Sequence, residues 1–342
     1  VWRIVWRIAR WVLFAAVLYY VFEHGRKLWS SVGPAPIHID WPWLVASGMA
    51  AIVGWSLSAI YWRRLLADWS ISITAMQAIR AYFVGGLGKY VPGKAMVVVL
   101  RSGMVSRNRH EAAAAAFSVL RETLSSMAVG VVWSVAGGPW LMPLIADALP
   151  SAWSARAGDL FSGWSTATHV AWMLVVASLG LVALELFAAV LDALARRLLP
   201  AAVQSAEVAP ATRRRTWSET AAGYVLLSAG WWLQGLSLGL TLRAISHESW
   251  TLGDWPMWTT AASASTVLGF VVVIAPGGLG PREWAIMQLL SGSAGGSQAV
   301  LAAVLLRGVV LAGEVVASAA LYGFPLQPVD RSGPASIAKT TS

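Results

Sequence analysis

Hydrophobic positions along this 342-residue chain fall in long unbroken runs rather than in the narrow stripes of amphipathic elements. Trp41–Trp62, Thr123–Ala146, Leu160–Leu184 and Thr220–Leu242 contain no Asp, Glu, Lys or Arg. Each has about the length, roughly 20 residues, that carries a helix across a bilayer core of about 30 Å. The shorter run Trp11–Phe22 gains reach because Arg7 and Arg10 can snorkel to the interface. It has the basic flank and apolar centre of a signal peptide but no small-x-small site before Glu23, so a retained helix is expected. The last run, Ser297–Tyr322, holds Arg307 and Glu314.

Two further runs break. Ile71–Val91 ends at Pro92-Gly93-Lys94, and Trp255–Ala275 ends at Pro276-Gly277-Gly278-Leu279-Gly280-Pro281-Arg282-Glu283. Proline removes an N–H and, with glycine, stops a helix. Broken backbone at membrane depth survives where protein or a watery cavity satisfies it. Each segment therefore reads as a hairpin of half-helices entering and leaving on one side, the first over about 71–106 and the second over about 255–292. The expected fold is an all-α polytopic membrane protein with six transmembrane helices and two re-entrant hairpins. Residues 1–322 form one membrane domain, and 323–342, rich in Ser, Pro and Thr, are expected to be a disordered cytoplasmic tail.

Composition agrees with this pattern: 57% of residues are hydrophobic, 12% are charged, and the mean hydropathy is +0.63. The 21 tryptophans suit a molecule with extensive membrane interfaces. A net charge of +9 raises the question of nucleic acid, and position answers it. With a cytoplasmic N-terminus, fifteen basic residues fall inside, among them Arg63, Arg64, Arg101, Arg107, Arg109 and Arg213–Arg215. Only Arg26, Lys27, Arg156 and Arg243 fall outside. The charge is explained as topology in a cytoplasmic (inner) membrane, and no nucleic-acid partner is expected. Zero cysteine excludes thiolate metal sites and Cys nucleophiles, and none of the five histidines has metal-ligand spacing.

The two breaks have matching surroundings. Pro92 precedes the intramembrane Arg121 by 29 residues, and Pro276 precedes the intramembrane Arg307 by 31. Three crossings separate the hairpins, so the second unit is expected upside down relative to the first, the inverted repeat of many transporters.

Gly88-Lys89-Tyr90-Val91-Pro92-Gly93-Lys94, followed by Arg101 and then Arg121-Glu122, resembles the first signature of the lysylphosphatidylglycerol synthase transmembrane-region family. Pro276 to Glu283, followed by Arg307, resembles its second. The resemblance runs from about the second span to the last. It implies a flippase-like membrane domain; in the namesake enzymes that domain moves an aminoacylated phospholipid between leaflets. Relatives are fused to, or work beside, enzymes that use polyprenyl-phosphate-linked sugars. The soluble aminoacyl-transferase domain of the namesake is not expected here, so lipid aminoacylation is not implied.

An ionised side chain at the bilayer centre costs about 2.5–3.5 kcal/mol on insertion scales, so each needs a partner or a task. Arg121 and Arg307 either bind a headgroup phosphate with their planar guanidinium groups or tie the two halves together through Glu122, Glu283 or Glu314. Glu283 either complements the start of a helix opened by Pro281 or belongs to a phosphate site. In that site the N–H groups of Gly277, Gly278 and Gly280 would cradle the anion. Gly85-Gly86-Leu87-Gly88 either does likewise, with Lys89 and Lys94 as point charges, or permits close packing. Arg101 and Arg282 complete the candidate substrate-binding set, and no cofactor or metal is expected.

No HExxH, DxD or adjacent acidic pair occurs, and no Gly-x-Ser-Gly accompanies His169, so an enzyme is not expected. The expected function is movement of a phospholipid or polyprenyl-phosphate-linked lipid across the cytoplasmic membrane. The alternative is a non-transporting accessory or scaffold subunit for a separate glycosyltransferase or lipid-modifying enzyme.

Overall fold

A computed structural model describes residues 38–90, 95–145, 163–198, 216–246, 251–271 and 280–323. The run Trp11–Phe22, both Pro-Gly breaks, and Lys94, Gly277 and Gly278 lie outside the described residues, as do residues 324–342.

Among the described residues the chain is helical, with no strand. The helices are α1 (Trp41–Ala67), α2 (Ala75–Gly86), α3 (Ala95–Val105), α4 (Arg109–Ala136), α5 (Gly138–Ile145), α6 (Thr166–Leu198), α7 (Trp217–Ile245), α8 (Trp255–Val271), α9 (Pro281–Ala294) and α10 (Gly296–Gly323). A 3-10 turn, Leu87–Tyr90, follows α2. Five of these helices, α1, α4, α6, α7 and α10, are long and apolar enough to cross a membrane.

Their starts follow from local chemistry. The Thr74 hydroxyl accepts from the Gln77 N–H while the Gln77 side chain accepts from the Thr74 N–H, and Thr216 with Glu219 does the same for α7. Asn108 caps α4 by accepting from the Glu111 N–H. That cap corrects one expected span. The crossing expected at Thr123–Ala146 begins at Arg109 and ends at Ala136, where Gly137 interrupts it before the short α5. Arg121 and Glu122 therefore sit midway along a 28-residue helix, at 7% and 2% exposure, packed against protein.

At 1.5 Å per residue, α2 (12 residues) and α3 (11 residues) each extend less than about 20 Å, short of a bilayer core of about 30 Å. They pack against each other, as do α8 and α9.

Eight of the ten described helices form two units of four with the same order of neighbours. In the first, α1 packs on α2, α2 on α3, α3 on α4 and α4 on α1; in the second, α7, α8, α9 and α10 repeat that ring. Each unit has its own core. One is centred on Trp62, Leu66, Tyr82 and Val119, the other on Leu242, Trp258, Ile286, Leu290 and Leu306.

The most extensive contact in the molecule joins the equivalent helices α1 and α7. Asp40 N–H donates to Ala244 O at 2.8 Å, and Ser47 Oγ lies 2.9 Å from Ser237 Oγ. A side-chain carbon on Gly54 would stand 3.0 Å from Gly230 O, and one on Gly223 would stand 2.8 Å from the Tyr61 ring. Positions 40, 47, 54 and 61 thus meet 244, 237, 230 and 223 in turn. Numbers rise along one helix as they fall along the other, so α1 and α7 run antiparallel. The seven-residue step keeps one seam of small residues facing the partner. The first helices of the two units therefore run in opposite directions.

By contrast α6 packs chiefly on α4 and sits at the rim. Only 24% of its most apolar stretch is buried, against 56% for the central α7.

Candidate functional site

Two clusters of charged residues form among the described helices. The first lies inside unit one. Arg101 Nη1 donates to Glu122 Oε2 at 3.0 Å, and Tyr82 Oη donates to Glu122 Oε1 at 3.2 Å. The Arg101 guanidinium lies 3.6 Å from the centre of the Tyr82 ring and 5.8 Å from that of Trp62. Gly85 makes this possible: a side-chain carbon there would lie 2.7 Å from Arg101 Cγ. Arg101 and Glu122 are almost wholly enclosed, with side chains 7% and 2% exposed. Each carboxylate oxygen has a donor and the cation has two rings, which offsets the desolvation such a pair suffers. Arg101 was expected at the inner surface; the structure puts it on α3, buried, as the partner of Glu122.

The second cluster lies where the units meet. The 3-10 turn after α2 carries Lys89 and Tyr90 across to α10 of the other unit. There Lys89 Nζ contacts Glu314 Oε1, and Tyr90 Oη donates to Glu314 Oε2 at 2.8 Å. The Lys89 ammonium is flanked by the rings of Tyr90 (5.1 Å) and Trp55 (5.9 Å). Arg307, two turns before Glu314 on α10, has its guanidinium 5.9 Å from the Tyr90 ring. Its Nε lies 4.0 Å from Glu283 Oε1. Arg282 stands within electrostatic range of Arg307, Glu283 and Glu314. Glu314 is about 14 Å from the end of α10, near half the depth of a bilayer core.

Glu283 divides its carboxylate. Oε2 accepts from Gly280 N–H at 2.7 Å, closing the first turn of α9, and Oε1 faces Arg307. Gly280 has φ +91°, a region in which a side chain is strained, and Pro281 supplies the fixed φ of a helix start. The Gly-Pro-Arg-Glu run is thus a helix cap, and its Gly280 N–H is already used.

The glycines at the end of α2 and in the turn after it pack. A carbon on Gly88 would stand 2.9 Å from Val97 N, so Gly85 and Gly88 let α3 lie against α2 and its turn.

Of the residues singled out in the sequence, the structure brings Lys89, Arg282, Glu283, Arg307 and Glu314 together at the junction. It pairs Arg101 with Glu122 elsewhere. Between the halves, the contact of Lys89 with Glu314 joins α10 to the turn after α2. Sequence reasoning missed the aromatic partners Tyr82, Tyr90, Trp55 and Trp62. Tyr90 stood inside the quoted motif; the others lie 19 to 40 positions from the charges they serve, with no local signal. A small cleft between α1, α4 and α7, lined by Trp55, Ser58, Ser126, Gly230 and Gln234, adjoins Trp55 of the junction.

The junction cluster has the chemistry of an anion site: three cations against two carboxylates, one of which already caps a helix. Neither a curated protein nor a solved structure matches the chain. The family model described as the lysylphosphatidylglycerol synthase TM region matches residues 7–317, which include both clusters and the long apolar helices up to residue 317 of α10. This chain is a multi-pass membrane protein that belongs to the lysylphosphatidylglycerol synthase transmembrane-region family.

Proposed function

We propose that this protein moves a phosphate-bearing lipid across the cytoplasmic membrane, with its N-terminus on the cytoplasmic side. The observation that carries the reading is the junction cluster. Lys89, Arg282 and Arg307 outnumber Glu283 and Glu314 at membrane depth, on helices drawn from both units. Cations at such depth are retained for a partner or a passage, and guanidinium groups suit phosphate oxygens. In this reading α2–α3 and α8–α9 are re-entrant hairpins, the two units are an inverted repeat, and the headgroup crosses between them while the acyl chains stay in the bilayer. The side chains act by binding and release, without catalysis, and the partners are membrane lipids. The test is native mass spectrometry of the purified protein. Co-purifying anionic phospholipid or polyprenyl-phosphate lipid that is lost from Arg307→Ala supports the reading; an identical lipid complement in both proteins counts against it.

The first cluster favours a second reading for its own residues. Arg101 and Glu122 are sealed from lipid by Tyr82 and Trp62, as a structural or scaffold element would be. A wholly non-transporting accessory protein would be expected to seal the junction in the same way. There the Lys89 side chain keeps 34% of its surface exposed.

A further inference from the structure

We propose that Glu314 is an internal stand-in for the lipid phosphate: Lys89 and Tyr90 form a two-pronged grip that exchanges the Glu314 carboxylate for a singly charged phosphodiester. This rests on the lipid-moving reading above and narrows its substrate class.

The two oxygens of Glu314 are held separately, Oε1 by the Lys89 ammonium and Oε2 by the Tyr90 hydroxyl. The two non-bridging oxygens of a phosphodiester present the same pair of acceptors on one negative charge. An exchange would therefore preserve both hydrogen bonds and the single negative charge that faces Lys89. Access exists on the cation's side, since the side chain of Lys89 is 34% exposed and that of Glu314 only 9%. Released Glu314 would remain in the field of Arg282, which it already feels.

Packing alone does not call for this arrangement. Exchanging the two units maps the α2–α10 contact onto the α8–α4 contact. The latter is held by Ser134 Oγ with Ser263 Oγ at 3.2 Å, and by Gly137 seated under Thr260, without an ion pair in its described contacts. One junction thus shows that small neutral residues suffice, while the other holds an ionic grip whose carboxylate is enclosed. Buried ion pairs seldom outperform apolar packing in stability, so the grip points to a task.

The class that fits is a lipid whose headgroup carries one phosphodiester and no compensating cation. An acidic glycerophospholipid and a sugar linked to a polyprenol through one phosphate share that chemistry.

The test uses the full chain in nanodiscs of phosphatidylcholine, with phosphatidylglycerol added in one arm and a polyprenyl-phosphoryl sugar in the other. Bound lipid is read by native mass spectrometry. Glu314→Gln, which removes the internal competitor, is expected to bind the probe roughly tenfold more tightly, and Lys89→Gln to lose that binding. In the wild-type protein, the probe should increase modification of Glu314 by a membrane-permeant carbodiimide, because the carboxylate has been displaced from Lys89. This second readout does not depend on a variant folding. Whichever arm gives both results identifies the source of the phosphodiester. Unchanged affinity in Glu314→Gln together with unchanged carbodiimide labelling overturns the stand-in while leaving lipid binding at Lys89 intact. No preference of the wild-type protein for either probe over phosphatidylcholine overturns the stand-in and the lipid-moving reading together.

Discussion

Gly54 of α1 and Gly230 of α7 face each other where the two units cross, each so near that a side-chain carbon on one would stand 3.0 to 3.1 Å from the carbonyl oxygen of the other. The close approach lets Ser47, Ser237 and Thr241 hydrogen-bond across the seam and lets Gln234 Nε2 donate to Ala51 O at 3.1 Å. Van der Waals contact between small residues, rather than a hydrophobic driving force, holds helices together in lipid.

Gly54→Val should therefore push the units apart. Overpacking of this kind costs about 1–3 kcal/mol, and here the obstacle is backbone. Thermal unfolding followed by size-exclusion chromatography should show a clear loss of folded protein. Gly103→Ala, where nothing lies within 4 Å, should leave stability within about 0.5 kcal/mol of the parent.

The antiparallel seam predicts a crosslink. The chain has no cysteine of its own, so Ser47→Cys with Ser237→Cys adds the only two thiols. Their parent hydroxyls are 2.9 Å apart, so mild oxidation should close an intramolecular disulfide, seen as a reducible mobility shift. Ser47→Cys with Ser263→Cys, a residue bonded instead to Ser134, should give no shift.

Removing one partner of the buried Arg101–Glu122 pair strands the other charge. Glu122→Ala should cost about 3–5 kcal/mol, and the double change Arg101→Leu with Glu122→Leu should recover most of it. Folded yield and melting temperature in detergent check both. Recovery of stability without recovery of lipid movement would show that the pair has a second use.

If α2 and α3 form a re-entrant hairpin, Asp68→Cys and Arg107→Cys, which flank it, should label from the same side of the membrane with an impermeant maleimide. A single crossing over this stretch would place them on opposite sides.

Much of this architecture was legible in the sequence because lipid leaves few options. Charge-free runs marked α1 and α7 to within five residues, and an apolar run holding Arg307 and Glu314 marked α10 to within one. The run expected at Leu160–Leu184 marked α6 less well, since the helix starts at Thr166 and continues through Glu185 and Asp192 to Leu198. The matched Pro-Gly surroundings indicated two equivalent units, and the structure adds their shared ring of neighbours. The start of α4 was not legible in the same way. The uncharged run begins after Glu122, yet Arg121 and Glu122 face protein, where Arg101 and Tyr82 satisfy the carboxylate. The end of α4 was signalled by Gly137-Gly138-Pro139 but hidden within an apolar run. Arg307 and Glu314 were legible as charges out of place, and Glu283 as a carboxylate either at a helix start or in a phosphate site. Their grouping with Lys89 was not, since Lys89 and Glu314 are 225 positions apart and meet only through the packing of the units.

The most direct test of the central claim is transbilayer movement in vesicles reconstituted with the purified protein. Fluorescent phosphatidylglycerol and phosphatidylcholine would be quenched from outside by an impermeant reductant. The wild-type protein is expected to bring the inner-leaflet phosphatidylglycerol within reach faster than phosphatidylcholine, with Arg307→Ala and Lys89→Gln folded but inactive. Equal protection of inner-leaflet lipid in protein-containing and protein-free vesicles, or full activity in both variants, would contradict the account.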